Sequence, residues 1–272
     1  MHKKNLNTFN YIFLLSFLFC LIFSAPISGQ SPYELSYKKD IPLFVIGLGG
    51  ILSRPALRQT VDPFTSEDIT LLNPNDINTL DRKFLYHYSA NARDASDVFQ
   101  ISSFYFPSLL LLAKPVRKDI LTIGVIGAEV FFCFFSITSL IKTSATRARP
   151  FVYDSSVPLE EKLRRSARLS FISGHTSRVA AFSFFTAKVA TDYYPNSKWK
   201  PVIWTAATIL PVTTGILRVK GGKHYPTDVT MGLVVGGLIG YFIPQLHKKR
   251  KNKNVDLSIF PTNDGMGLVL QW

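Results

Sequence analysis

Three polar clusters in this chain hold residue types suited to chemistry, and each one adjoins an apolar stretch. The first runs from Lys142 to Pro150 and brings Lys142, Arg147 and Arg149 into one short segment. Three cations this close can hold an anion; beside an apolar helix they also serve as interfacial anchors. The second, Ser170 to Thr176, contains Ser173-Gly174-His175 directly before an apolar block. A Ser-Gly start leaves backbone N–H groups at the positive end of a helix, an anion site that is also an ordinary helix start. The third runs from Arg218 to Asp228. Its His224 and Asp228 are four apart, hence on one helix face once a helix has begun. Asp228 can then orient the imidazole and stabilise its charged form, although a lone pair of this kind is common in structural settings.

The elements that must position these clusters are apolar. Of 272 residues, 47% are hydrophobic and only 18% charged, below the roughly 25% usual in soluble domains. That hydrophobicity excludes a disordered chain. Two cysteines, Cys20 and Cys133, both inside apolar runs, exclude a disulfide scaffold. The 31 basic residues against 18 acidic ones give a charge of +13. This charge is not arranged in stripes beside aromatic platforms, so no nucleic-acid partner is expected. It sits at the ends of apolar segments, as in a membrane protein.

After Lys3 and Lys4, the apolar run Tyr11–Ala25 reads as an export signal within 1–29, cleaved near Gly29 or retained as an anchor. The blocks that follow are Ile41–Leu57, Val98–Ala113, Asp119–Ile141, Thr176–Ala190, Pro201–Leu217 and Val229–Pro244. Several fall short of the about 20 apolar residues a lone span needs. Ile41–Leu57 is marginal because it carries Gly47, Gly49, Gly50 and Pro55. The expected fold is therefore all-α, an integral membrane bundle of about six helices with mutually buried faces. Thr60–Asp97 reads as a polar insert with short helices, and Lys248–Lys253 as a basic juxtamembrane run. Val255–Trp272 reads as a hairpin around Asn263-Asp264-Gly265. The chain thus divides into a leader (1–29), N-terminal helices with the insert (30–114), a core with the three clusters (115–246) and a tail with the hairpin (247–272).

Taken together, the clusters resemble the signature of the type 2 phosphatidic acid phosphatase family from about Asp119 to Leu246. The pieces are Lys142, six further residues and Arg149-Pro150; Ser173-Gly174-His175; and Arg218, five further residues, His224, three more and Asp228. Ile172 stands where the signature has Pro and Leu217 where it has Ser; neither position carries the chemistry. The resemblance implies a membrane lipid-phosphate phosphatase in which His224 is the nucleophile and forms a phosphohistidine. It implies that Asp228 holds the His224 tautomer, and that His175 protonates the leaving alcohol and then activates water. Transition-state charge on a transferred phosphoryl group spreads over its oxygens, so several fixed donors are needed. Lys142, Arg149 and Arg218 supply cations, and Ser173 and Gly174 neutral donors.

No metal or other cofactor is expected, because these cations neutralise the phosphate and no histidine–carboxylate cluster shows ligand spacing. His2, His87 and His247 are assigned no role, and Arg147 only a supporting or interfacial one. Phosphatidic acid, phosphatidylglycerol phosphate, undecaprenyl diphosphate and the phosphates of lipid A all suit a signature that reads the phosphate and not the lipid. Two other readings compete: a vanadate-dependent haloperoxidase-like enzyme, which is soluble, and a membrane protein with a degenerate site. By helix counting, Lys114–Lys118, Lys198/Lys200 and Lys248–Lys253 lie opposite the clusters and belong in the cytoplasm. That puts the site on the periplasmic face of a bacterial inner membrane. An exported N-terminus followed by a full span at Ile41–Leu57 would invert the arrangement.

Overall fold

The computed structural model describes residues 31–86 and 88–249, and the backbone of two strands, Asp256–Thr262 and Gly265–Gln271. The expected leader, His87 and most of the basic run after Lys248 lie outside the described residues. The strands pair antiparallel from Asp256↔Gln271 to Thr262↔Gly265, the hairpin expected at the C-terminus. The bundle rests on six long helices: α1 (Tyr37–Gln59), α2 (Ala90–Ser102), α3 (Ile120–Ala145), α4 (Gly174–Tyr193), α5 (Lys200–Lys220) and α6 (Pro226–His247). Of these, α1, α3, α5 and α6 are long and apolar enough to cross a membrane. The protein is an all-α integral membrane bundle.

Two elements differ from expectation. Ile41–Leu57 is not marginal: it lies within α1, a continuous helix of 23 residues. Its glycines are contact points. A Cβ at Gly47 would meet Phe132 Cβ at 2.6 Å, and one at Gly50 would lie 1.6 Å from Ser136 Oγ. The α1 backbone therefore runs against α3, and Ser136 Oγ donates to Ile46 O at 3.2 Å. The block Val98–Ala113 is also reshaped. α2 begins at Ala90, inside the expected insert, and passes at Ser103 into a 3-10 helix, Ser103–Leu112, containing Pro107. Proline supplies no N–H for an i→i−4 bond, which helps end the α-helical ladder there. The insert itself holds the short helices Ser66–Thr70 and Thr79–Arg82, as expected.

α4 runs through the middle. Ala181, Phe182, Phe185 and Val189 pack with Ile126, Val130 and Phe134 of α3 and Ile239 and Ile243 of α6. The α4–α6 seam has almost no width, because α6 presents Gly232, Gly236 and Gly240 one turn apart. A Cβ at these positions would lie 2.7 Å from Ser173 O, 2.0 Å from Ser177 O and 2.2 Å from Ala181 O.

Polar residues tie the bundle at both ends. At one end Tyr33 donates to Asp192 at 2.8 Å, Lys248 reaches the same carboxylate at 2.6 Å, and Tyr193 donates to Asp119 at 2.7 Å. His247, expected in the tail without a role, is the last residue of α6 and fully buried here. Its Nε2 lies 2.7 Å from Glu129 Oε2 and its Nδ1 3.4 Å from Asp40 Oδ1. This histidine–carboxylate group, assembled from α1, α3 and α6, is invisible to spacing along the chain. All three chemical clusters lie at the other end.

Candidate active site

The first cluster is clamped by backbone carbonyls. Lys142 stands in the last turn of α3 and donates to Leu169 O at 3.0 Å. α3 stops at Thr146, whose left-handed backbone (φ 37°) turns the chain toward Arg149. The Arg149 guanidinium donates to Ser166 O at 2.9 Å, Lys223 O at 3.3 Å and Leu169 O at 3.3 Å. The second cluster begins α4. Ser173 caps it, accepting from Thr176 N at 3.4 Å and lying 2.9 Å from Thr176 Oγ1. The Ser173 N–H donates to Asp228 O at 2.9 Å, which ties the start of α4 to the start of α6. Gly174 faces Lys142, where a Cβ would sit 3.3 Å from the lysine Cε.

The third cluster leaves α5 through Gly221 and Gly222, the latter at φ 65°, a conformation that favours glycine. Arg218, in the last turn of α5, donates to Ser96 Oγ at 3.1 Å and Asp97 Oδ1 at 3.2 Å. His224 is buried, with Nδ1 3.4 Å from Asp228 Oδ2, longer than a hydrogen bond. Nε2 is then the nitrogen left for the cavity that His224 lines. Burial, followed by the charges of Arg149, Lys142 and Arg218, pushes the His224 imidazole well below its usual pKa. The ring is therefore neutral and its lone pair available.

Asp228 is held from several sides. It accepts from Tyr225 N at 3.0 Å, from the Ser170 hydroxyl and from Arg147 Nη1 at 2.6 Å. Arg147, given only a supporting role above, also pairs with Asp81 at 2.7 Å and lies 4.1 Å over the Tyr225 ring. Burial alone would raise the Asp81 pKa, but hydrogen bonds from Thr227, Arg147 and Asn78 hold it below the usual carboxylate value. The polar insert thus braces the site through a residue that nothing in the sequence singles out.

Lys142, Arg149, Gly174, His175 and His224 meet on one cavity of about 190 Å³, together with Arg54, Arg58 and Arg178. Arg218 lines an adjoining cavity of about 510 Å³, which shares Gln100, Arg149, Ser166 and His175 with the first. Ser173 and Asp228 are fully buried and line neither cavity. The residue missed by sequence is Asp97 of α2. Its Oδ1 lies 2.8 Å from His175 Nε2 and also accepts from Arg218, so it joins the second and third clusters.

Residues 120–252 match the family model described as the PAP2 superfamily. That match covers just under half of the chain, from the start of α3 to beyond the end of α6. It is 24% identical, over 149 residues, to a lipid A 4'-phosphatase of Porphyromonas gingivalis, a match covering 54% of this chain and 60% of that protein. The match thus spans less than two thirds of this relative's length. Among solved structures, a transmembrane PAP2 type phosphatidylglycerolphosphate phosphatase from Bacillus subtilis is similar at 20% identity and a TM-score of 0.38. That similarity covers 80% of this chain and 100% of the other. The PAP2 segment begins with α3, so α1, α2 and the insert that supplies Asp81 and Asp97 precede it.

Proposed function

We propose that this PAP2 protein is a metal-independent phosphatase that hydrolyses a phosphomonoester or diphosphate of a membrane lipid through a phosphohistidine. The observation that carries the reading is the meeting of Lys142, Arg149, His175 and a buried, neutral His224 on one cavity from separate segments of the chain. The relative named as a lipid A 4'-phosphatase supports it.

In the first step His224 Nε2 attacks phosphorus and the bond from phosphorus to the leaving oxygen breaks. Burial lowers the His175 pKa to about 4, so His175 takes up a proton as the phosphate dianion binds and gives it to that oxygen. Lys142, Arg149 and Arg218 hold the oxyanion charge, aided by Gly174 at the start of α4, which Ser173 caps. Asp228, fixed by Arg147 and Ser170, stabilises the His224 ring as positive charge develops on it. In the second step water attacks the phosphohistidine, His175 takes its proton, and inorganic phosphate leaves. The site faces the periplasm and the opposite, basic end of the bundle faces the cytoplasm.

Phosphate release from detergent-solubilised lipids tests the reading. His224→Ala should lose at least about 10³-fold in kcat while remaining folded, since the nucleophile has no substitute. Wild-type protein quenched during turnover should carry an acid-labile, base-stable phosphoryl label that the variant lacks. Near-normal turnover by His224→Ala would remove the nucleophile assignment. Bromide oxidation in the presence of vanadate would favour the haloperoxidase-like alternative.

A further inference from the structure

The cavity beside His224 holds more positive charge than one phosphate requires. Besides Lys142 and Arg149 it is lined by Arg54, Arg58 and Arg178, and by no carboxylate. Arg54 and Arg58 lie four apart near the end of α1 and so share a face. Arg178 stands one turn into α4. Elsewhere at this end the half-buried Arg147 and the buried Arg218 pair with carboxylates. Among the described residues no ion pair joins Arg54, Arg58 or Arg178 to an acid.

Aromatic rings present these arginines instead. Arg178 lies 4.7 Å over Phe104 and 4.9 Å over Phe135, and Arg54 lies 5.7 Å over Phe135. A guanidinium stacked on a ring keeps its donors in its own plane, so stacking fixes it without consuming them. The Arg178 Nε is buried without a hydrogen-bond partner. On α3 the cavity wall runs from Lys142 back to Phe135 and Phe134, about two helical turns or ~10 Å along the axis. The arginines therefore extend the anion site away from the scissile position.

We infer that Arg54, Arg58 and Arg178 form a second anion subsite, and that the preferred substrate is a lipid whose headgroup bears a second phosphate about two helical turns, ~10 Å, from the one removed. This rests on the phosphatase reading and narrows it. A directly bonded diphosphate is too short to engage both ends; a glycerol spacer covers part of the distance and a disaccharide spacer has the full reach.

The test compares kcat/KM in detergent micelles for phosphatidic acid, a lipid diphosphate, phosphatidylglycerol phosphate and a bisphosphorylated disaccharide lipid. At least one of the two spaced substrates should exceed phosphatidic acid by tenfold or more, and the diphosphate should not. Both Arg178→Ala and the paired change Arg54→Ala/Arg58→Ala should cut that ratio at least tenfold. The α1 pair, with Arg54 half-buried and Arg58 exposed near the helix end, keeps the test valid if loss of Arg178 disturbs packing. A wild-type ratio below twofold, or a ratio unmoved by both variants, overturns the proposal. Direct binding to His224→Ala protein decides the matter without turnover. It should hold the same tenfold preference and lose it on adding Arg178→Ala, and equal binding of all four lipids overturns the subsite. Absence of turnover by the wild type alongside that binding preference would instead overturn the phosphatase reading.

Discussion

Asp97 is the residue on which the site's chemistry turns without belonging to its signature. A single carboxylate oxygen lies between His175 Nε2 and Arg218 Nη1, where it orients the histidine proposed as acid and base and would compete with the proposed phosphate for the arginine. Asp97→Asn should therefore lower kcat about tenfold, a fraction of what a full general acid contributes. KM should stay level or fall, because the competing charge is gone. Steady-state kinetics on a lipid phosphate would show the split, and a raised KM with unchanged kcat would make Asp97 a simple binding residue. Lys142, Arg149, His175, Arg218 and His224 were legible in the sequence because their types are unusual beside apolar segments and their spacing forms a pattern. Asp97 was not, because its link to His175 crosses 78 residues and it ends an insert already rich in aspartate. Asp81 was hidden for the same reason, and Arg147 became meaningful only once both of its carboxylates were in place.

The helices place these residues through close backbone contact more than through large side chains. His224 and Asp228 lead into or begin α6, and Ser173 to His175 begin α4, so the α4–α6 seam sets their separation. Gly236→Ala brings a Cβ to 2.0 Å from Ser177 O, whereas the same change at Gly49 of α1 meets nothing within 4 Å. The first should be destabilised by about 1–3 kcal/mol through overpacking, outweighing the gain in helix propensity. The second should be neutral or stabilised by up to about 1 kcal/mol. Thermal unfolding in detergent compares the pair, and equal midpoints would show that the seam opens at no cost. All-α character and the helix locations were legible from hydrophobic block lengths and basic turns. The span of α1 was misjudged because glycine weakens an isolated helix yet permits close approach to a partner, and the partner α3 is not visible from the segment itself. The switch to a 3-10 helix at Ser103 also escaped, since apolar character does not distinguish the two coils.

At the scale of the molecule the two ends of the bundle are chemically distinct. Asp40, Glu129 and His247 form a buried group of metal-ligating types at the basic end. α6 separates its His247 from Asp228 by about 30 Å of helix, so an ion bound there could not touch a phosphate at His224. Phosphate release should therefore survive EDTA within about twofold; loss of activity on chelation and recovery with a divalent metal would sink the cofactor-free mechanism. Orientation is the sharper question. Residues 31–36 lie beside Lys248 and α1 is long enough to cross, so the chain before Tyr37 shares a side with Lys114–Lys118, Lys198 and Lys200. Basic loops close to helix ends stay in the cytoplasm, whereas cleavage of an exported leader near Gly29 would carry residue 31 outward. The cations near the site do not vote, because the proposed function gives them an anion to bind. The basic loops outweigh the leader, so the Tyr11–Ala25 run should not deliver residue 31 to the periplasm. Asn75 and Asn196 are exposed at opposite ends and report on this directly. In a background with Cys20→Ala and Cys133→Ala, Asn75→Cys should react with a membrane-impermeant maleimide in intact cells. Asn196→Cys should react only after the inner membrane is permeabilised. The reverse pattern would place His224 on the cytoplasmic face, restore the exported leader, and limit the substrates to lipids presented by the inner leaflet.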